Sequence, residues 1–209
     1  ADLEGDVAGS ERAGVDVLWM PERAHLYPPG FATSVAVGGL TNALCGAGRP
    51  HHFEGVTTVV CKLFHGVEPD AAFFGEKDYQ QLRIVERMVR DLDLPVEIVG
   101  CPIVREPDGV AMSSRNSYLS PAQRVAARCL RRGLDAAVAA WEAGERGCVA
   151  LAAAARAVVE AEPLAISEYV EVRDATDLSA VARAEGSVVV ALAAQVGPAR
   201  LIDNQVLRA

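Results

Sequence analysis

Apolar residues fall along the first half of the chain in short runs separated by longer stretches of helical period. Between Asp78 and Leu92, the residues Leu82, Val85, Met88, Val89 and Leu92 share one face of a predicted helix. Glu54 to His65 reads as a mostly apolar helix ending at Gly66, and Asp6 to Ala13 as the close of another helix. Strands are predicted at Val15–Trp19 (ending at Pro21), at Thr33–Val37, at Asp70–Phe74 as a buried strand, and at Val96–Cys101. Tyr27-Pro28-Pro29-Gly30 is a loop. Short apolar strands alternating with longer helices predict a parallel α/β sheet.

The pattern changes after Glu106-Pro107-Asp108-Gly109, where Pro in second place and Gly in fourth suit a type I turn. Ser120-Pro121-Ala122-Gln123 then announces a helix: Ser caps, Pro fits the first helical position, and Gln reaches back to the cap. Two Ala-rich helices are predicted near 121–143 and 147–162; the stretch 149–161 keeps a helical pattern despite its composition. Strand-like runs follow at Tyr169–Arg173, Ser187–Val196 and Ala199–Ile202. The predicted division is an α/β part over 1–104 and a small α+β domain over 105–209.

Composition adds little to the fold but narrows the function. The chain has 209 residues, 51% hydrophobic and 23% charged, which is ordinary for a globular core. Its formal net charge is −8, and no basic stripe with interleaved aromatics occurs, so a nucleic-acid partner is not expected. No apolar run reaches the length of a membrane span. The acidic Ala1-Asp2-Leu3-Glu4 does not open a signal peptide, and a cytoplasmic location is predicted. Five cysteines (Cys45, Cys61, Cys101, Cys129, Cys148) with no C-x-x-C pattern read as buried free thiols rather than a disulfide framework or zinc site.

Two stretches carry candidate chemistry. Phe73-Phe74-Gly75-Glu76-Lys77-Asp78-Tyr79-Gln80-Gln81 lies where a strand hands over to a helix. Ligands of open α/β sheets bind at the carboxyl ends of strands, and helix N-termini favour anions. Gly75 lets a ligand approach the backbone, and Lys77 adds a charge suited to phosphate. Of 20 Lys plus Arg, only Lys62 and Lys77 are lysines, yet one stands at this junction. A solvated lysine beside Glu76 and Asp78 is the plainer explanation. The second stretch, Ala111-Met112-Ser113-Ser114-Arg115-Asn116, offers two hydroxyls and a guanidinium to a phosphate. Alone it would pass for a polar loop capping a helix. The adjacent pair His51-His52 is a poor metal site, because neighbouring side chains diverge.

Together the stretches are more specific. FFGEKDYQQ, followed by the segment Val104-Arg105-Glu106-Pro107-Asp108-Gly109-Val110-Ala111-Met112-Ser113-Ser114-Arg115-Asn116, closely resembles the pantothenate synthetase family. Arg49-Pro50-His51-His52-Phe53-Glu54-Gly55-Val56 and Leu201-Ile202-Asp203-Asn204 extend the likeness over essentially the whole chain. The resemblance implies a Rossmann-like, nucleotidyltransferase-type parallel sheet followed by a lid-like α+β domain, in a homodimer. It implies that pantoate attacks the α-phosphate of ATP, giving pantoyl adenylate and pyrophosphate, and that the β-alanine amine then displaces AMP. Catalysis would rest on positioning and on stabilising phosphate charge.

The resemblance also assigns residues. Lys77 is implied as the phosphate-binding lysine, and Gly75 and Asp78 as ribose contacts. Gln81 would hold pantoate, Val104 and Met112 would lie by adenine, and Ser113, Ser114 and Arg115 would form the loop that closes on the phosphates. Mg2+ is expected with ATP. Asp6 aligns loosely with an acidic position near that metal, but no protein-borne metal site is expected. The resemblance makes His52 a site-region or helix-start residue.

The departure from the pattern is at the start. The family opens with a strand and a P-T-M-G-x-L-H-x-G-H segment whose histidines contact ATP; His25, His51, His52 and His65 form no H-x-G-H, and a second pantoate-holding glutamine has no counterpart. Loss of a central first strand would leave two strands without a shared neighbour and expose their edges. The chain as given is therefore expected to be a fragment, the product of a misplaced start, or dependent on a further piece. The competing readings are a non-catalytic interaction module of the same descent, or a different nucleotidyltransferase or class I tRNA synthetase fragment. Preserved Lys77, Gln81 and Ser113-Ser114-Arg115 weigh against decay, and the acidic charge suits tRNA poorly.

Overall fold

In a computed structural model the chain is described over residues 3–208 and divides into two compact units, Ala1–Thr33 and Ser34–Ala209. The first unit holds helices α1 (Leu3–Arg12) and α2 (Arg23–Leu26). The strand predicted at Val15–Trp19 is not there: the segment is exposed, with Val17 79% accessible, and pairs with no other described strand. An apolar run becomes a strand only when a neighbour takes its backbone hydrogen bonds, and local pattern cannot supply that neighbour.

The second unit begins with irregular chain, then α3 (Leu44–Gly48) and α4 (His52–Val67). The strand predicted at Thr33–Val37 is also absent. Threonines of α4 serve its backbone instead: Val35 N–H donates to Thr58 Oγ1 at 2.9 Å, and the Thr57 hydroxyl donates to the Val35 carbonyl. β1 (Ala71–Gly75), α5 (Tyr79–Asp91) and β2 (Glu97–Cys101) form a parallel strand–helix–strand unit, in register from Ala71 opposite Glu97 to Gly75 opposite Cys101. The two strands thus pair directly with each other. β1 is not the buried strand that its apolar run predicts, since Phe73 is 69% exposed; no third described strand pairs in this sheet. On α5, Leu82, Val85 and Met88 are buried as the periodicity requires, but Leu92 lies past the helix end and is exposed.

The chain then makes the turn at Glu106–Gly109 and enters three helices rather than two: α6 (Pro121–Ala127), α7 (Cys129–Glu142) and α8 (Cys148–Glu160). The predicted capping box opens α6, with Gln123 N–H on Ser120 Oγ at 3.3 Å and Ser120 N–H on Gln123 Oε1 at 3.0 Å. An antiparallel sheet, β3 (Ala165–Asp174), β4 (Val188–Val196) and β5 (Ala199–Leu207), closes the unit in the order β3-β4-β5.

β4 is buried along nearly its whole length because both its faces are covered. Val188, Val190, Leu192, Ala194 and Val196 join a core with Leu134, Leu151 and Val159 of α7 and α8. Val189 and Ala191 face the other way, into a second core with Leu40, Leu44, Phe53, Tyr79 and Ile84. The strand's two-residue alternation serves both cores. All five cysteines are free; Cys129 and Cys148 are buried as expected, whereas Cys45, Cys61 and Cys101 are only half-buried. No described helix is long and apolar enough to cross a membrane.

Candidate active site

β1 runs through Gly75 into a 3-10 turn, Glu76–Asp78, and then into α5. A Cβ added at Gly75 would meet nothing within 4 Å, so the backbone there is open to an incoming group. Lys77 Nζ stands 3.9 Å from Asp78 Oδ2, and Lys77 keeps only 20% of its side chain exposed. The junction is held from β5, where Asn204 Nδ2 donates to the carbonyls of Glu76 and Lys77 at 2.9 and 3.0 Å.

The two adjacent glutamines do different things. Gln80 is buried, donates to the carbonyls of Leu40 (2.7 Å) and Ala43 (2.8 Å), and accepts from Gly46 N–H (3.3 Å). It shapes the 40–46 loop, whose close approach at Gly46 leaves no room for a side chain: a Cβ would lie 2.0 Å from the Thr41 carbonyl oxygen. Gln81 is left to face the cavity described below.

The second segment is a small hairpin. Met112 N–H donates to the Val104 carbonyl and Glu106 N–H to the Val110 carbonyl, both at 2.9 Å, and Gly109 closes the turn at φ +89°. The hairpin's end exposes Val104 (62%) and Met112 (56%). Ser113 Oγ accepts from Arg115 N–H at 3.3 Å and opens the 3-10 turn Ser114–Tyr118. Arg124 braces the hairpin, reaching Asp108 Oδ2 at 2.6 Å and Glu106 Oε2 at 2.7 Å. Its hydrogen bonds hold both carboxyls below their ordinary pKa values. Asn116 Nδ2 adds a 2.6 Å bond to Glu106. Arg105 meets the buried Asp203 of β5 in a two-pronged pair at 2.6 and 3.0 Å.

Both segments converge on a cavity of about 200 Å³, lined among others by Lys77, Asp78, Gln81 and Arg115. A narrow crevice brings Ser113 to Lys77 as well. Gly75, Val104, Met112 and Ser114 line neither.

Arg49 and Arg200 complete a cationic wall, with His52 beside them. Arg200 is anchored by Glu168 at 2.7 Å and lies 6.0 Å from the Tyr169 ring centroid. Burial pushes the Tyr169 phenol up to about 12. Partial burial, then Arg49 and Arg200, push the His52 imidazole below 6.5 against the opposing pull of Asp78, so it is neutral at pH 7. Four cations facing one cavity, in a chain of net charge −8, concentrate positive potential where an anion can bind.

Sequence reasoning did not find Arg49, Arg200 or Tyr169 as wall residues, nor the supporting roles of Gln80, Arg105, Arg124, Asp203 and Asn204. One signal was available: Asp203-Asn204 places two polar residues side by side inside an apolar strand, and polar groups in such places are hydrogen-bonded.

A parallel strand–helix unit with a cation-lined cavity at its carboxyl end, fused to a three-stranded antiparallel sheet, marks an α/β protein suited to a phosphorylated or carboxylate ligand. The sequence profile described as "Pantoate-beta-alanine ligase" matches residues 1–206. The pantothenate synthetase of Trichlorobacter lovleyi is 53% identical over 206 residues, covering 99% of this chain and 73% of that one. That of Roseiflexus castenholzii is 52% identical over 208 residues, covering 100% and 75%. The crystal structure of pantothenate synthetase from Thermus thermophilus superposes with a TM-score of 0.93 at 45% identity, covering 98% of this chain and 74% of that one. The pantoate-beta-alanine ligase of Francisella tularensis, solved with beta-gamma ATP and beta-alanine, gives a TM-score of 0.74 at 27% identity over 98% and 70% of the two chains. The chain belongs to the pantoate–β-alanine ligase family.

Proposed function

We propose that the chain carries out the ATP-dependent condensation of pantoate with β-alanine, through a pantoyl adenylate. The observation that carries this reading is the convergence of Lys77, Asp78, Gln81 and Arg115, from two distant segments, on one cationic cavity. Lys77 and Arg115 neutralise phosphate oxygens, and the hydroxyls of Ser113 and Ser114 donate to them as the hairpin closes. Asp78 and the open backbone at Gly75 receive the ribose. Val104 and Met112, apolar and exposed at the hairpin's end, cover adenine.

Gln81 orients pantoate so that its carboxylate oxygen attacks the α-phosphorus and pyrophosphate departs. The β-alanine amine then attacks the acyl carbon, an amide bond forms, and AMP leaves. No protein nucleophile takes part; the residues bind and align. Mg2+ enters with ATP as part of the substrate. Residues 1–104 act as the nucleotide-binding part and 105–209 as the lid, in a cytoplasmic homodimer.

The test is pyrophosphate release from purified chain with ATP, Mg2+ and pantoate, before and after β-alanine is added. Pantoate-dependent release, with AMP appearing only after β-alanine, is expected. Release that ignores pantoate would refute the reading.

A further inference from the structure

We propose that Asp203 and Asn204 are positioning residues that tie the two phosphate-facing segments to a single strand, so that Lys77 and Arg115 are presented at a fixed spacing. The inference rests on the ATP-site reading above.

Asn204 has its amide split between the carbonyls of Glu76 and Lys77, at 2.9 and 3.0 Å. It is 5% exposed, and buried amides of this kind are hydrogen-bonded. The residue before it, Asp203, is 3% exposed and holds both terminal nitrogens of Arg105. Arg105 also donates to the Gly109 carbonyl at 3.1 Å and forms the antiparallel bridge to Ala111, so it sits inside the hairpin that ends in Ser113–Arg115. Asp203 Oδ1 accepts from Asn204 N–H at 2.9 Å as well, which fixes the aspartate to the strand's own backbone. Adjacent residues of one strand therefore grip segments 127 and 98 positions away. Both residues line the cavity that Lys77 and Arg115 share, and the hydrogen bonds they make run to the protein itself. Their action is on geometry.

Two measurements on the full chain test this. In hydrogen exchange, Asn204→Ala is expected to speed exchange over residues 76–81 and leave 104–116 unchanged, and Asp203→Asn to do the reverse. Equal acceleration of both segments, or of neither, overturns the proposal.

In calorimetric titration with ATP, Asn204→Ala is expected to weaken binding by about tenfold, within what a misplacement of about 1 Å costs. In a Lys77→Ala background the same substitution should cost less than about twofold. An equal factor in both backgrounds would mean that Asn204 acts on stability alone, and the proposal fails. If Asn204→Ala does not fold, Asn204→Ser, which keeps one donor, takes its place in both measurements. If the wild-type chain binds no ATP, the functional reading falls, and the exchange pattern alone decides whether the tie exists.

Discussion

The Tyr79 hydroxyl donates to the Ala175 carbonyl at 2.7 Å, across 96 positions of chain. The bond joins the first residue of α5 to the turn after β3, inside the smaller core. Burial raises the phenol's pKa, so it remains a donor through the neutral range. Tyr79→Phe keeps the ring and leaves a buried carbonyl unpaired. The expected cost is about 1–2 kcal/mol in urea denaturation. An unchanged midpoint would show that water replaces the phenol.

Gln80 and Gln81 should part company under substitution. Gln80→Ala removes three hydrogen bonds that hold the 40–46 loop and should lower stability by about 2–3 kcal/mol. Gln81→Ala should leave the melting temperature nearly unchanged and weaken pantoate binding more than ATP binding. Equal losses for both ligands would refute the pantoate assignment.

Lys77→Ala should leave the fold intact, because its ion pair to the half-exposed Asp78 is long, at 3.9 Å, and such pairs contribute little. Pyrophosphate release should fall by about a hundredfold or more, the scale on which single preorganised donors act. Unchanged turnover would remove Lys77 from the phosphate site.

Arg124 gives the hairpin a pH signature. The carboxyls of Glu106 and Asp108 are depressed from 4.5 and 3.8 in the folded chain. A depressed carboxyl contributes fully above its ordinary pKa, and that contribution is lost as pH falls through the lower folded value. The stability gap between wild type and Arg124→Gln should therefore be steady from about pH 7 to about pH 5 and shrink at more acid pH. A gap that persists unchanged to about pH 3 would show that the guanidinium acts through packing instead.

What the sequence made legible was local. The capping box at Ser120, the turn at Gly109 and the helical face of Leu82, Val85 and Met88 each depend on residues a few positions apart, and each formed as expected. Val15–Trp19 and Thr33–Val37 have strand composition, yet a strand is a relation between two segments, and only one was in view. The same holds for the site. Lys77 and Ser113–Arg115 stood out because each belongs to a contiguous motif. Asn204 on the Lys77 carbonyl and Asp203 on Arg105 are contacts that only the folded chain brings together.

The two-sided burial of β4 has a consequence for the order of assembly. The smaller core joins residues near position 40 and α5 to Val189 and Ala191, so it cannot close until β4 is available. On the ribosome, α4, β1 and α5 would wait with apolar faces uncovered while α6 to β4 emerge. Contacts of such long sequence separation form slowly. During synthesis, the apolar faces of α4 and α5 therefore stay uncovered until β4 has been made.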